Sequence, residues 1–323
     1  MAGLFGKRRA VDSTILIVDI ENASVGCALV RLSPGNPPRL FAETRSSLPL
    51  LKTTSAERLL AETDKSLREA LLNTSMTAAR MRNHVKLHPV GVISEVFVFV
   101  APPWTAVAPR GDKLVWQVEP ALMNSARDAV QDIFGILPTT FHAASSAAID
   151  ATNRLFQQLP NLLLCIMTGE VTELASLQNG MLAARATIPL GRHFLLRTLQ
   201  THGAVSLAEA ESALRLSRMA RMEVPGEEAL FSAAKHFASE FRNAAKEIKN
   251  DEPIHGILVV AQEPAGEWVA QNLATSESLV ELFDAGTTVQ ALHTHHLAPY
   301  LAAHAARPDL LFMTEALFVD NQK

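Results

Sequence analysis

The side chains in this sequence that could do chemistry cluster where apolar runs end. Asp19 stands near the close of the β-branched run 15–20, and the polar turn Glu21-Asn22-Ala23-Ser24 follows it. A carboxylate there could face a cleft, or could bond its own backbone in an Asx-type turn. A second group starts after the apolar run 162–167, at Thr168-Gly169-Glu170-Val171-Thr172. Gly191 then precedes an apolar-periodic stretch from Arg192 to Leu199. Backbone N–H groups at a tight turn and at a helix N-terminus both favour an anion, so this order fits a phosphate cradle. It fits an ordinary corner of a β-meander as well, because a lone glycine turn is weak evidence. The hydroxyls of Ser24, Thr168 and Thr172 lie at these turns and could bond phosphate oxygens. His293, His295, His296 and His304 invite a metal reading, with the first two alternating on a strand. No HExxH spacing accompanies them, so a loop is expected and no metal. GxSxG, GxxxxGK[ST] and GxGxxG are all absent from the sequence.

The elements that must hold these residues follow from periodicity. Strands are expected over 15–20, 25–32 and 39–48, an antiparallel meander, with Pro34 to Pro38 as one turn. Leu59, Leu60, Leu67, Leu71 and Leu72 recur at helical spacing, so a helix is expected from Ala56 to about Val85. Residues 94–100 read as a strand buried on both faces. Residues 114–118 read as a short strand, 120–134 as a helix opened by Pro120, and 139–142 as a strand. A small-residue helix over 145–159 follows. Asn179-Gly180 is a strong hairpin signal between strands 173–177 and 182–188. Helices are then expected over 206–221 and 227–249, a buried strand at 256–261, a helix at 267–273 and a strand at 289–293. A terminal helix spans 309–319.

Composition bounds the rest. At 323 residues the chain exceeds the size at which one core usually keeps growing, so two lobes are expected. Apolar residues make up 48% and charged residues 19%, a globular balance. The net charge of −4 gives no electrostatic case for nucleic acid. Cys27 and Cys165 sit in apolar runs without CxxC spacing, which suits small buried hydrophobes and a reducing cytoplasm. The spacing leaves a bridge between them open. Lys7, Arg8 and Arg9 precede no signal-peptide apolar core, and no run approaches the roughly 20 apolar residues of a membrane span.

The order of these motifs resembles the actin-like ATPase superfamily, and within it the PilM-like proteins of type IV pilus assembly. The resemblance covers most of the chain. Val18-Asp19-Ile20-Glu21-Asn22-Ala23-Ser24-Val25 is similar to the family's first phosphate motif, and Ile166 to Thr172 to the second. Ile188-Pro189-Leu190-Gly191-Arg192 resembles the family's glycine pair before a helix. Ala210-Glu211-Ser212-Ala213-Leu214 resembles an Ala-Glu-X-X-Lys segment, and Val259-Val260-Ala261-Gln262 the adenosine motif. The resemblance implies an α/β, two-lobed actin-like (ribonuclease H-like) fold, with mixed sheets flanked by helices. Lobe I is expected over 12–159, with a reduced insertion subdomain within about 39–116. Lobe II is expected over 160–323. Asp19, Asn22, Ser24, Gly169, Thr172, Gly191, Glu211 and Gln262 are the nucleotide-binding positions it implies, with ATP and Mg²⁺ as cofactors.

The departures from the pattern bear on function. Glu21 stands in place of a phosphate-loop glycine, and Met167 in place of the second-loop aspartate. Arg192 replaces a glycine, Leu214 the lysine, and Ala261-Gln262 the adenosine glycines. A carboxylate beside polyphosphate and a lost metal-shell carboxylate both weaken Mg·ATP. Backbone without glycine cannot approach a nucleotide as closely. The expectation is a cytoplasmic scaffold, peripheral to the inner membrane, with weak or lost ATP hydrolysis and no catalytic residues. Its expected partner is the cytoplasmic tail of an inner-membrane pilus or secretion protein, with a homo-oligomer as a further expectation. An active ATPase or small-molecule kinase of the same fold is the alternative. An FtsA-like division protein fits less well, since no amphipathic membrane helix follows Phe318 in this sequence.

Overall fold

The computed structural model describes residues 12–49, 55–83, 90–110, 113–159, 161–203, 206–217, 227–248, 252–276, 282–283 and 286–323. The basic stretch at 7–9 and the expected helix ends at 84–85, 218–221 and 249 lie outside them. By its contacts the chain separates into two units. One holds the described residues up to Ala151 together with His293–Lys323, and the other is Thr152–Leu292.

The first unit is built on the expected meander. Strands β1 (Ser13–Ile20), β2 (Ser24–Leu32) and β3 (Arg39–Ser47) pair antiparallel in sequence order. Strand β4 (Ile93–Val100) joins β1 in parallel and β7 (Thr139–Ala143) joins β4 in parallel. One face of β1 and β2, with Leu16, Val18, Val25, Cys27 and Leu29, packs with α1 (Ala56–Asn83) and α2 (Pro120–Phe134). The other face carries Ile15, Ile17 and Asp19, as period-2 alternation requires. A separate hairpin pairs β5 (Thr105–Arg110) with β6 (Lys113–Val118). Strand β5 was not expected, because Ala108 and Pro109 hide its pattern; its antiparallel pairing with β6 defines it. The helix α3 (Ala144–Leu155) ends sooner than residue 159.

The second unit opens with β8 (Asn161–Met167), β9 (Thr172–Gln178) and β10 (Met181–Ile188), an antiparallel meander. Asn179 and Gly180 turn it with φ of 50° and 74°, the conformation read from that dipeptide. Strand β11 (Gly256–Ala261) lies parallel to β8, and β12 (Thr288–Ala291) parallel to β11. Helices α4 (Arg192–Gly203), α5 (Leu207–Ser217), α6 (Glu227–Ile248) and α7 (Ala265–Ala274) pack Leu195, Leu199, Phe237, Phe241 and Trp268 into one core with this sheet.

Three expectations near the end of the chain are corrected. Strand β12 stops at Ala291, and His293 instead caps the single-turn helix α8 (Thr294–Leu297). The backbone N–H of His293 donates to Nδ1 of His296 at 3.1 Å, so the histidines serve a helix start and not a strand. Next, the terminal helix α9 runs over Leu310–Gln322, longer than 309–319. Finally, α9 groups with the first unit and not with the second lobe. Residues 310 to 319 are all buried. A helix apolar nearly all round must be enclosed, and one side of it packs on the second face of β1, β2 and β3. Phe318 meets Phe99 edge-on at 5.5 Å, and two-residue β13 (Ala302–Ala303) runs parallel to β3.

Candidate functional site

In the first unit, cross-strand register aligns Asp19 with Gly26 and Gly26 with Arg45. Asp19 and Arg45 are therefore two strands apart, roughly 10 Å, on one face. Gly26 contributes no side chain between them, so the guanidinium crosses it. Arg45 Nη2 donates to Asp19 Oδ2 at 2.7 Å, Nη1 to Ser24 Oγ at 3.0 Å, and Nε to Asp309 Oδ2 at 2.8 Å. The Phe312 ring lies 4.8 Å from the same guanidinium. A Cβ on Gly26 would meet Phe312 Cζ at 2.5 Å and Arg45 Cζ at 3.2 Å, so the bare backbone is what admits both. Asp309 also caps α9 through Leu311 N–H at 2.9 Å, and its own N–H donates to Glu43 Oε2 at 2.9 Å.

The turn itself closes inward. Glu21 N–H donates to the Ser24 carbonyl at 3.0 Å, Ser24 Oγ donates to Glu21 Oε2 at 3.3 Å, and Asn22 Nδ2 donates to the Pro102 carbonyl at 2.9 Å. Glu21 and Asn22 are buried, and Asp19 has no exposed surface at all. Burial raises the Asp19 pKa, and the charge of Arg45 opposes that rise. Burial would lower the Arg45 pKa, but Asp309, Asp19 and Glu21 push it well above its ordinary value.

In the second unit, Thr168 N–H and Oγ1 both donate to the Val171 carbonyl, at 2.9 and 3.0 Å, forming the loop. Buried Thr172 donates its hydroxyl to the Leu190 carbonyl at 2.7 Å. At the start of α4, Arg192 N–H donates to the Thr168 carbonyl at 2.9 Å and His193 N–H to the Gly169 carbonyl at 2.7 Å. Gly191 is required there, since a Cβ would come within 2.5 Å of the Gly169 oxygen. Glu170 accepts from Arg197 Nη1 at 2.8 Å and Nη2 at 2.6 Å, and pairs with His193 Nδ1 at 2.8 Å. Burial alone would raise the Glu170 carboxyl, but the bonds from Arg197 and then His193 prevail and hold it down at about 2. Gln262 accepts from Arg192 Nη1 at 3.1 Å.

The expected site residues thus fall into separate groups. Asp19, Asn22 and Ser24 share one turn in the first unit. Gly169, Thr172 and Gly191 share one loop–helix junction in the second, with Gln262 tied to its neighbour Arg192. Glu211 stands apart on the exposed face of α5, while Leu214 beside it is buried in the core. Sequence reasoning missed Arg45, Asp309, Phe312 and Glu315 around the first loop, and Arg197 and His193 around the second. One signal was available: Glu315 is the single charge in the run Leu310 to Val319, so a helix buried all round had to bury a carboxylate.

Mg·ATP, which such a fold implies, does not fit the residues at these loops. Glu21 brings a buried carboxylate to the first turn, and the Asp19 carboxylate is engaged by Arg45. In the second loop the amides of Arg192 and His193, at the start of α4, donate to the loop's own carbonyls.

The architecture is that of the actin-like ATPases, an α/β fold with mixed sheets flanked by helices. Two solved structures carry this assignment. The PilM–PilN type IV pilus biogenesis complex matches with a TM-score of 0.57 at 14% identity, covering 98% of this chain and 97% of that one. The ethanolamine utilization protein EutJ from Carboxydothermus hydrogenoformans also matches with a TM-score of 0.57 at 14% identity, covering 97% and 91%. An Aquifex aeolicus Ppx/GppA phosphatase aligns at 0.43 and 12% identity over 77% of this chain and 67% of that one. No family model and no curated protein matches the sequence. Among the described residues, no helix is long and apolar enough to cross a membrane.

Proposed function

We propose that this protein is an actin-fold scaffold that does not cycle ATP. The observation that supports this most directly is Asp19: fully buried, paired to Arg45, and shut under a helix of its own chain. A carboxylate with no exposed surface and an arginine on one oxygen is poorly placed to meet a metal–phosphate group from solvent. The second loop supports the same reading, since its helix amides are already bonded.

We infer the assembly role from the PilM–PilN likeness. The proposed partner is the cytoplasmic tail of an inner-membrane protein of a type IV pilus or related secretion assembly. The scaffold would then be cytoplasmic and peripheral to the membrane through that partner. Calorimetric titration with Mg·ATP and a phosphate-release assay test the first claim. The expected result is no saturable binding at micromolar nucleotide and no turnover. Micromolar binding, or steady phosphate release that Asp19→Ala abolishes, would identify a working ATPase or small-molecule kinase instead.

A further inference from the structure

Glu315 of α9 is 1% exposed, and among the described residues neither of its carboxyl oxygens meets a donor; nor does Oδ1 of Asp19, which is 0% exposed. The two carboxyl groups lie within hydrogen-bonding reach of each other. Two carboxylates cannot bond one another without a proton, and two such charges side by side in a buried site repel strongly. Among the described residues, Arg45 is the positive charge that acts on both members of this pair. Its donors go to Asp19 Oδ2, Asp309 and Ser24, and none goes to Asp19 Oδ1. The remaining neighbours are acidic or neutral: Asp309 at the helix start, Glu21 in the turn, Glu43 on β3, and the Cys27 thiol on β2, which burial keeps protonated.

We propose that Glu315 is held as a neutral carboxylic acid whose O–H donates to Asp19 Oδ1, and that this shared proton fastens the C-terminal helix to the β1–β2–β3 face. The proton gives Asp19 Oδ1 a donor, engages one of the two Glu315 oxygens, and leaves one carboxylate of the pair for Arg45 to balance. Burial, and then the charge of Asp19, push the Glu315 pKa well above its ordinary value, in agreement with this arrangement. The two groups titrate as a unit, so the pair and not either residue owns the proton. The device is independent of nucleotide.

A carboxyl whose folded-state pKa is raised stabilises the fold below its unfolded value, and that contribution is lost as pH rises through the folded value. Alkaline buffer should therefore loosen α9. Glu315→Gln separates this from other alkaline effects, because an amide N–H donates to Asp19 at every pH. Thermal midpoints of the wild type and the variant should run together in mildly acidic buffer. They should diverge by several degrees in alkaline buffer, with the wild type the lower. Parallel profiles overturn the proposal. Infrared spectra of wild-type protein carrying 13C-labelled glutamate give a second reading that needs no variant. A protonated-carboxyl band is expected at neutral pH, and its absence overturns the proposal as well.

Discussion

The two turns that an actin-like fold would offer to phosphate are closed by different means. The first is closed from a distance: Arg45 from β3 and Asp309, Phe312 and Glu315 from the far end of the chain meet over Asp19. The second is closed locally, with Glu170, His193 and Arg197 spanning fewer than thirty residues. Burial differs in step. Asp19 is wholly enclosed, whereas the Glu170 and Arg197 side chains are about one-third exposed, at 35% and 34%. The enclosed cluster should therefore bear most of the energetic weight, and the open one should yield to salt and acid.

Arg45→Met should have the largest effect. It leaves the buried carboxylates of Asp19 and Asp309 without their cation, a change that costs roughly 3–5 kcal/mol at buried pairs. Urea denaturation checks this, and a loss below about 1 kcal/mol would show that the cluster is not what closes the first loop. Gly26→Ala comes next. The new methyl would overlap Phe312 Cζ, and overpacking of this kind costs about 1–3 kcal/mol. A Phe312→Leu partner should restore part of that loss, which a double-mutant cycle measures. Simple addition of the two losses would mean that Gly26 and Phe312 do not share the slot.

Glu170→Gln should cost least, on the order of 1 kcal/mol, because an exposed pair is screened by water and salt. Its pH dependence is the sharper reading. The Glu170 pKa is depressed to about 2, so its contribution is full above the unfolded value near 4.5 and is lost as pH falls toward 2. The stability difference between wild type and variant should shrink over that acid window, measured by urea denaturation at each pH. An unchanged difference would remove Arg197 and His193 as the cause.

Much of the fold was legible because its signals are local. The meander 13–47, the Asn179-Gly180 hairpin and the helix opened by Pro120 each follow from periodicity or from turn chemistry within a few residues. Strand β5 was not legible, because Pro109 and alanines give no alternation and only the pairing with β6 defines it. The histidines misled for a related reason: alternation over His293 and His295 is shared by a strand and by a helix cap with one turn after it.

By itself the sequence determined that Asp19 stands near the end of an apolar strand, that Gly169 lies in a turn and Gly191 before a helix, and that the chain holds a terminal helix near 309–319. It also determined which phosphate-handling residues are replaced. Only the tertiary structure decided that the terminal helix belongs with the first sheet, and that Arg45 reaches Asp19 across Gly26. The physical reason is range. Helix and strand propensities act over a handful of residues, but an ion pair between positions 45 and 309 exists only once register and packing have brought them together.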